Sequence, residues 1–250
     1  MKVDIIISAD DIKKEKVKDK SVVVIDMLRA TSVIATALNN GCDEIIPVLT
    51  IEEAIEIRRW NEEKHVLGGE RKGIKIEGFD FGNSPIEYTH DKIKGKSLIM
   101  TTSNGTRAIK GCYNAKNILL GALINGRAVA KKLVELGDDI VLVNAGTYGE
   151  FSIDDFLCSG YIISSILELC LGEDNTDILE KNQGEIVLTD ISKTAFYVYK
   201  NNENITDFIK YASHHERLIS LKVDNDLDYC CQKDIIDIVP QYIDGRIIVK

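Results

Sequence analysis

The stretch Ser97–Ile109, SLIMTTSNGTRAI, combines a strand, a polar loop and the start of a helix, and we infer the fold outward from it. Its apolar beginning, Ser97–Thr101, is typical of a buried strand, and a helical pattern begins at Ala108. The small side chains between them let backbone N–H groups approach an oxyanion near a partially positive helix N-terminus. An ordinary strand-to-helix turn with a polar N-cap explains the same residues equally well. No Gly-Lys-Ser/Thr follows, so the stretch is not a Walker phosphate loop.

Alternating strands and helices extend from this stretch in both directions. The other strands predicted along the alternating part are Val3–Ser8, Ser21–Asp26, Asp43–Val48, His65–Leu67, Asn117–Ala122 and Asp139–Asn144. The alternation predicts an α/β fold with a largely parallel sheet and helices on both faces. Near the C-terminus, Ile235–Val239 and Arg246–Val249 are predicted strands that flank an Asp-Gly hairpin signal. The sheet is therefore expected to be mixed at one edge if this hairpin joins it.

The glycine-rich stretch Gly68–Glu87, GGERKGIKIEGFDFGNSPIE, interrupts the alternation and carries Glu70, Arg71 and Asn83. A loop of this length within a compact domain is usually functional or disordered. Its polar residues alternate with Ile and Phe, so we expect an ordered loop with its own small core.

Length and composition limit the classes of function. The 250 residues, 44% of them hydrophobic, suffice for one α/β domain spanning 1–250, with a mostly helical section from about residue 172. A net charge of -9 argues against nucleic-acid or anionic-membrane partners. The N-terminal apolar run is too short for a signal peptide or a membrane span, and the six cysteines form no CxxC pair. We therefore expect reduced thiols in a cytoplasmic protein, and the sequence leaves open whether it forms a homo-oligomer.

Polar groups follow several predicted strands, at the carboxyl ends where open α/β sheets bind their ligands. These groups are Asp26 with Arg29 and Thr31, Thr101–Arg107, Asn125 with Arg127, and Asn144–Asp155. Arginines and hydroxyl groups suit a phosphorylated small molecule, and carboxylates suit Mg²⁺, which prefers oxygen ligands. The available carboxylates are Asp26, Glu70, Glu150, Asp154 and Asp155.

The histidines and a late acidic cluster lack the spacing of a ligand motif. No HxH or HExxH pattern occurs among His65, His90, His214 and His215, which we expect on the surface or in the core. A calcium-loop spacing without its glycine and closing glutamate occurs at Asp224, Asp226 and Asp228. We interpret this cluster as a solvated segment that caps a helix.

Several long segments in order resemble the 2-phosphosulfolactate phosphatase family. They are VVVIDMLRATSVIATALNNGCDEI, GGERKGIKIEGFDFGNSP, TTSNGTRAI, NAGTYGEFSIDDFLCSG and the late CCQKDIIDIVP, whereas residues 172–222 carry no motif. The resemblance implies a three-layer α/β/α fold. It also implies a Mg²⁺-dependent phosphatase that hydrolyses 2-phospho-3-sulfolactate to 3-sulfolactate and phosphate, a step of coenzyme M synthesis.

The resemblance and the polar groups together give each candidate residue an expected role. The expected catalytic residues are Asp26, Arg29 and Arg107, and the expected metal ligands are Asp26, Glu70 and Asp155. The expected substrate-binding residues are Arg71, Asn83, Thr102, Ser103, Asn104, Gly105 and Asn144. We expect Arg107 to bind the phosphate, and Arg29 or Arg71 to bind the sulfonate or carboxylate.

Two mechanisms and one alternative function stay open at this point. Mg²⁺ could activate a water for in-line attack, or Asp26 could itself form an aspartyl-phosphate. Leu28 occupies the position at which the DxDx(T/V) signature of aspartyl-phosphate phosphatases has its second Asp, which favours the water. The alternative function is a non-catalytic module that binds or senses a small organic phosphate.

Overall fold

The computed structural model describes residues 1–172, 186–202 and 204–250. In chain order the strands are β1 Lys2–Ile6, β2 Ser21–Ile25, β3 Glu44–Pro47, β4 His65–Arg71, β5 Ile74–Lys75, β6 Ser97–Thr101, β7 Asn117–Gly121, β8 Ile140–Asn144, β9 Val187–Leu188, β10 Gln241–Ile243 and β11 Arg246–Ile248. The α-helices are Lys14–Val17, Ala30–Asn39, Ile51–Arg58, His90–Ile93, Gly105–Gly111, Gly126–Leu136, Ile153–Leu171, Asp190–Lys200, Ile205–Ile209, Ser213–Ser220 and Asn225–Cys230.

Both faces of the central strands are buried, as the uninterrupted apolar sequence of β2 predicts. Val22 and Val24 pack in a core that includes residues of the helix Ala30–Asn39. Val23 and Ile25 point the other way, into a core built with the helices Gly126–Leu136 and Ile153–Leu171. Helices therefore cover both faces of the sheet, and the predicted α/β class and its three layers are confirmed.

The C-terminal hairpin lies in the middle of the sheet, and the expectation that it would mix the sheet at one edge is wrong. The strand order is β5-β4-β6-β3-β11-β10-β7-β2-β8-β1-β9. The strands β10 and β11 are antiparallel to each other and to their outer neighbours β7 and β3. Three successive antiparallel pairings thus separate two parallel blocks, whose strands run in opposite directions. The predicted strand Ile235–Val239 is irregular, and β10 begins only at Gln241.

The strand β4 continues into the glycine-rich stretch, which sequence alone placed in a loop. Gly68 and Gly69 pair with Met100 and Thr101 of β6, so the strand carries Glu70 to the end of the sheet. At Gly69 φ is +147° and an added Cβ would lie 2.0 Å from the carbonyl oxygen of Thr101. Only glycine permits this close pairing.

The helical section predicted from about residue 172 contains the described helices from Asp190 onward, and residues 173–185 lie outside the described part. That residues 1–250 form one domain stays a prediction. Within the described ranges, no helix is both long enough and apolar enough to cross a membrane.

Candidate active site

One pocket collects charged side chains from segments that are far apart in sequence. The loops that follow β2 and β6 and the hairpin β4–β5 contribute Asp26, Leu28, Arg29, Glu70, Lys72, Gly73, Ser103 and Asn104. The rest of the lining is Asn83, Thr147, Tyr148, His214, Arg217 and Leu218. The pocket thus places two carboxylates among several cationic groups.

Asp26 is held at the start of the helix Ala30–Asn39. Its Oδ1 accepts a hydrogen bond of 3.1 Å from the backbone N–H of Ala30, and its own N–H donates to Thr31 Oγ1 at 3.1 Å. Burial raises the pKa of Asp26 to about 6, although the nearby His214 acts to lower it. The carboxyl group is therefore mainly ionised at neutral pH and close enough to neutrality to exchange a proton.

Glu70 joins the β4–β5 hairpin to the loop after β6. Its Oε1 accepts from the backbone N–H of Ser103 at 2.7 Å, and its Oε2 accepts from the N–H of Gly73 at 2.5 Å. The same loop approaches the end of β2, because a Cβ added at Gly105 would lie 2.7 Å from Asp26 Oδ2. These contacts bring residues of the two oppositely directed blocks to one pocket.

Arg29 forms a buried ion pair, with only 4% of its side chain exposed. Its Nη1 donates to Asp226 Oδ2 at 2.5 Å, and its Nη2 donates to the carbonyl oxygen of Gly73 at 3.3 Å. Ser84 Oγ donates to the other oxygen of Asp226 at 2.6 Å. The interpretation of Asp226 as part of a solvated cluster is therefore wrong, since its side chain is 1% exposed and balances the charge of Arg29.

His214 lies between Asp154 and Thr147. Its Nδ1 is 2.9 Å from Asp154 Oδ2, and its Nε2 is 2.9 Å from Thr147 Oγ1. Burial acts to lower the pKa of His214, but nearby carboxylates, Asp154 foremost, raise it to about 9. Burial conversely acts to raise the pKa of Asp154, but the charge and hydrogen bond of His214, together with the hydrogen bond from Ser152, lower it below its usual value. At neutral pH the pair is an imidazolium and a carboxylate, so the Nε2–H donates to Thr147.

The oxygen ligands in the pocket fit a magnesium ion. Asp26 and Glu70 line it, and so does Asn83, whose buried Oδ1 has no hydrogen-bond partner among the described residues. Residues 1–172, 186–202 and 204–250 contain no cluster of three His, Cys, Asp or Glu side chains placed for a metal. Mg²⁺ does not need such a cluster, because it keeps several waters and uses one or two carboxylates together with substrate phosphate.

Asp155 lies behind the pocket. Its Oδ1 accepts from the backbone N–H of Met27 at 3.0 Å, and its Oδ2 accepts from the N–H of Gly146 at 3.0 Å. Burial and the neighbouring carboxylates Asp154 and Asp26 raise its pKa well above the usual range. Asp155 therefore connects two of the loops that form the pocket. Its expected role as a metal ligand stays a prediction.

Several residues expected at the substrate lie outside the pocket lining. Arg107 is half exposed and forms an ion pair with Asp10. Arg71 donates to Thr101 Oγ1 at 2.9 Å and to its neighbour's carbonyl oxygen at 2.8 Å. The others are Thr102, bonded to Thr106; Gly105, packed on Asp26; and Asn144, which accepts from Ser159. Of the expected residues, those that line the pocket are Asp26, Arg29, Glu70, Asn83, Ser103 and Asn104.

Comparison with known proteins identifies the family. A family model described as 2-phosphosulpholactate phosphatase matches residues 6–245. The chain belongs to the 2-phosphosulfolactate phosphatase family. The resemblance noted in the sequence is thereby confirmed.

Similar proteins in three clostridia are each described as a probable 2-phosphosulfolactate phosphatase. That of Clostridium acetobutylicum is 59% identical over 248 residues, which cover 99% of this chain and 100% of the relative. That of Clostridium tetani is 60% identical over 247 residues, again with 99% and 100% coverage. That of Clostridium botulinum is 53% identical and covers 100% of both chains. This member of the family therefore matches its relatives over their full length.

The sequence interpretation missed two cationic residues of this family member, His214 and Arg217. Both lie on the helix Ser213–Ser220, in the section where no motif could be placed. With Leu218 they are spaced i, i+3 and i+4, which puts them on one face of a helix. That spacing was visible in the sequence, but nothing local indicated which surface the face would meet.

We expect the protein to lose stability as the pH rises from about 6.5 to about 9, because His214 loses its proton in this range. The pKa is higher in the folded state than in the unfolded chain. The stabilisation is therefore fully present below the unfolded value of 6.5 and is lost as the pH passes the folded value. The expected fall in the free energy of unfolding is roughly 3 kcal/mol at most.

Urea denaturation at a series of pH values measures this effect. His214→Asn should remove the dependence, whereas His215→Asn, at the adjacent position on the same helix, should retain it. An unchanged pH profile in His214→Asn would show that another group is responsible.

Proposed function

We propose that this protein is a Mg²⁺-dependent phosphatase that hydrolyses 2-phospho-3-sulfolactate to 3-sulfolactate and phosphate, as a step of coenzyme M synthesis. Membership of the 2-phosphosulfolactate phosphatase family supports the reaction class and the substrate. The observation that carries the proposal is the pocket itself, in which Asp26, Glu70 and the Oδ1 of Asn83, which has no partner in the described part of the chain, lie among cationic side chains. A substrate with phosphate, carboxylate and sulfonate groups needs this combination of charges.

When bound, Mg²⁺ would neutralise charge on the phosphate and lower the pKa of a bound water. Asp26, Glu70 and Asn83 would hold the ion. The Asp26 carboxylate would also lie beside the attacking water, where it can accept a proton from it. Together these groups favour attack by water over formation of an aspartyl-phosphate.

The cationic residues have separate tasks. Arg29 is fixed by Asp226 and stabilises negative charge that moves onto the phosphate oxygens in the transition state. Thr147 accepts the Nε2–H of His214, so its own hydroxyl hydrogen is left to donate to an anionic oxygen in the pocket. These donors are already in place before the substrate binds, which lowers the cost of reorganisation.

The direct test is phosphate release from 2-phospho-3-sulfolactate, measured with added Mg²⁺ and after exhaustive chelation. We expect turnover with the metal and a loss of roughly a hundredfold or more without it, because a bound metal supplies several kcal/mol of charge stabilisation. Circular dichroism should show that the chelated protein stays folded. Restoration by Mg²⁺ alone is the control for damage by the chelator.

Two results would contradict the proposal. Full turnover after chelation would remove the metal from the mechanism. Binding of 2-phospho-3-sulfolactate without phosphate release, with Mg²⁺ present, would instead support the non-catalytic binding module. Phosphate release from a panel of other phosphomonoesters, measured under the same conditions, tests whether 2-phospho-3-sulfolactate is the preferred substrate.

A further inference from the structure

Arg217 carries a charge in the pocket that no carboxylate balances within the described ranges. Its guanidinium donates hydrogen bonds to the hydroxyl of Tyr148 and to the carbonyl oxygen of Lys72, both of which are neutral acceptors. The guanidinium carbon also lies 5.5 Å from the centre of the Tyr148 ring. These contacts fix the direction of the side chain without neutralising it, so an anion is the missing partner.

The other pocket arginine differs in this respect. Arg29 is neutralised by Asp226, with which it forms a buried ion pair at 2.5 Å. Lys72 is exposed at the tip of the β4–β5 hairpin and lines the pocket beside Arg217. The excess positive charge of the pocket therefore lies where the hairpin tip meets the helix Ser213–Ser220.

The carboxylates that would hold the metal are not ion-pair partners of Arg217 in the described ranges. Asp26 accepts from the N–H of Ala30 at the start of the helix Ala30–Asn39, and Glu70 accepts from the N–H of Ser103 in the loop after β6. No hydrogen bond or ion pair in the described part of the chain joins either carboxylate to Arg217. With the phosphate held by a metal at Asp26 and Glu70, a second anionic group of the substrate is available to pair with Arg217.

Resting on the proposed function, we propose that Arg217 binds the sulfonate of the substrate and is the residue that selects phosphosulfolactate over phosphate esters without that group. One CH₂ group separates the sulfonate from the carbon that bears the phosphoester, whereas the carboxylate is attached to that carbon directly, so the sulfonate can reach farther from the phosphate. A guanidinium fork can contact two of the three sulfonate oxygens at once. Lys72 adds charge on the same side.

The sulfonate does not change during hydrolysis, which determines how the proposal is tested. An interaction of equal strength in the ground and transition states alters KM and leaves kcat unchanged. We expect Arg217→Ala to raise KM for 2-phospho-3-sulfolactate by roughly tenfold or more, with kcat within about threefold of the wild type. For 2-phospholactate, which lacks the sulfonate, KM should change less than about twofold.

Two further measurements sharpen the test. For 2-sulfoethyl phosphate, which keeps the sulfonate and lacks the carboxylate, Arg217→Ala should raise KM as much as for the full substrate. Arg217→Lys, which keeps the charge without the fork, should give a smaller increase in KM, and it replaces the alanine variant if that variant does not fold. Arg59→Ala, at an exposed arginine outside the pocket lining, is the matched control and should change neither constant.

The proposal fails if Arg217→Ala impairs 2-phospholactate as strongly as the full substrate, because Arg217 would then act on the phosphate or on the fold. It also fails if the loss is absent with 2-sulfoethyl phosphate, since the carboxylate would then be the group bound. Calorimetric binding of the product 3-sulfolactate, compared with lactate, needs no turnover. If the wild type released no phosphate, the proposed function would fail, and a loss of 3-sulfolactate binding in Arg217→Ala would still establish the sulfonate site.

Discussion

Asp26→Asn is expected to lower kcat by about a thousandfold or more, because the substitution removes both a metal ligand charge and the group that accepts a proton from water. The fold should tolerate the change well. Asparagine keeps the Oδ1 that accepts the N–H of Ala30, so the start of the helix Ala30–Asn39 stays capped. It also removes a buried charge that neighbouring carboxylates, including Glu70 and Asp154, disfavour.

Steady-state kinetics and urea denaturation of Asp26→Asn measure the two effects separately. Asp139→Asn is the matched control, since Asp139 is exposed at the opposite end of β8 from the pocket and accepts a backbone N–H in the same way. We expect Asp139→Asn to have a kcat within about threefold of the wild type, because a surface substitution far from the pocket usually has a small effect. Near-normal turnover in Asp26→Asn would remove Asp26 from the mechanism.

A loss of activity in Glu70→Gln is harder to interpret than one in Asp26→Asn, because of the hydrogen bonds that Glu70 makes. Both oxygens of Glu70 accept from backbone N–H groups, one at Ser103 and one at Gly73. A glutamine would place its own N–H₂ group against one of these donors. The variant would therefore lose stability as well as activity, which complicates any assignment of Glu70 as a metal ligand.

The sequence indicated the pocket residues that follow strands, because a change from an apolar run to polar residues is a local signal. Asp26 after β2 and Ser103 after β6 were found in this way, and both line the pocket. The Asp-Gly pair at residues 244 and 245 likewise indicated a hairpin, which is confirmed. It did not indicate the neighbours of the hairpin, since insertion between β3 and β7 depends on pairings distant in sequence.

Residues that reach the pocket through helix packing were not predictable in the same way. Arg107 follows the polar loop directly in sequence, yet the helix Gly105–Gly111 directs it to Asp10 at the surface. Arg217 and Asp226 lie on short helices whose neighbours are set by tertiary contacts alone. The sequence indicated a phosphate contact for Arg107 and a solvated segment for Asp226, and only the packing shows that Arg107 is half exposed and Asp226 buried.

The ion pair of Asp226 with Arg29 leads to the largest expected effect on stability. Asp226→Ala should lower the free energy of unfolding by about 3–5 kcal/mol, because removal of one partner leaves the other charge buried and unpaired. Ser84 Oγ would lose its acceptor as well. Asp43→Ala is the control, since Asp43 pairs with Lys64 at 3.0 Å on the surface and should contribute less than about 1 kcal/mol.

A double variant separates the charge from the loss of packing. Arg29→Met with Asp226→Leu removes both charges and fills similar volume, so it should recover much of the stability that Asp226→Ala loses. Activity should not recover with it, because Arg29 also lines the pocket beside Asp26. Urea denaturation of the single and double variants gives the coupling energy. If the double variant is no more stable than Asp226→Ala, the pair is held by packing rather than by mutual neutralisation, and the account of Arg29 as a charge fixed by Asp226 is wrong.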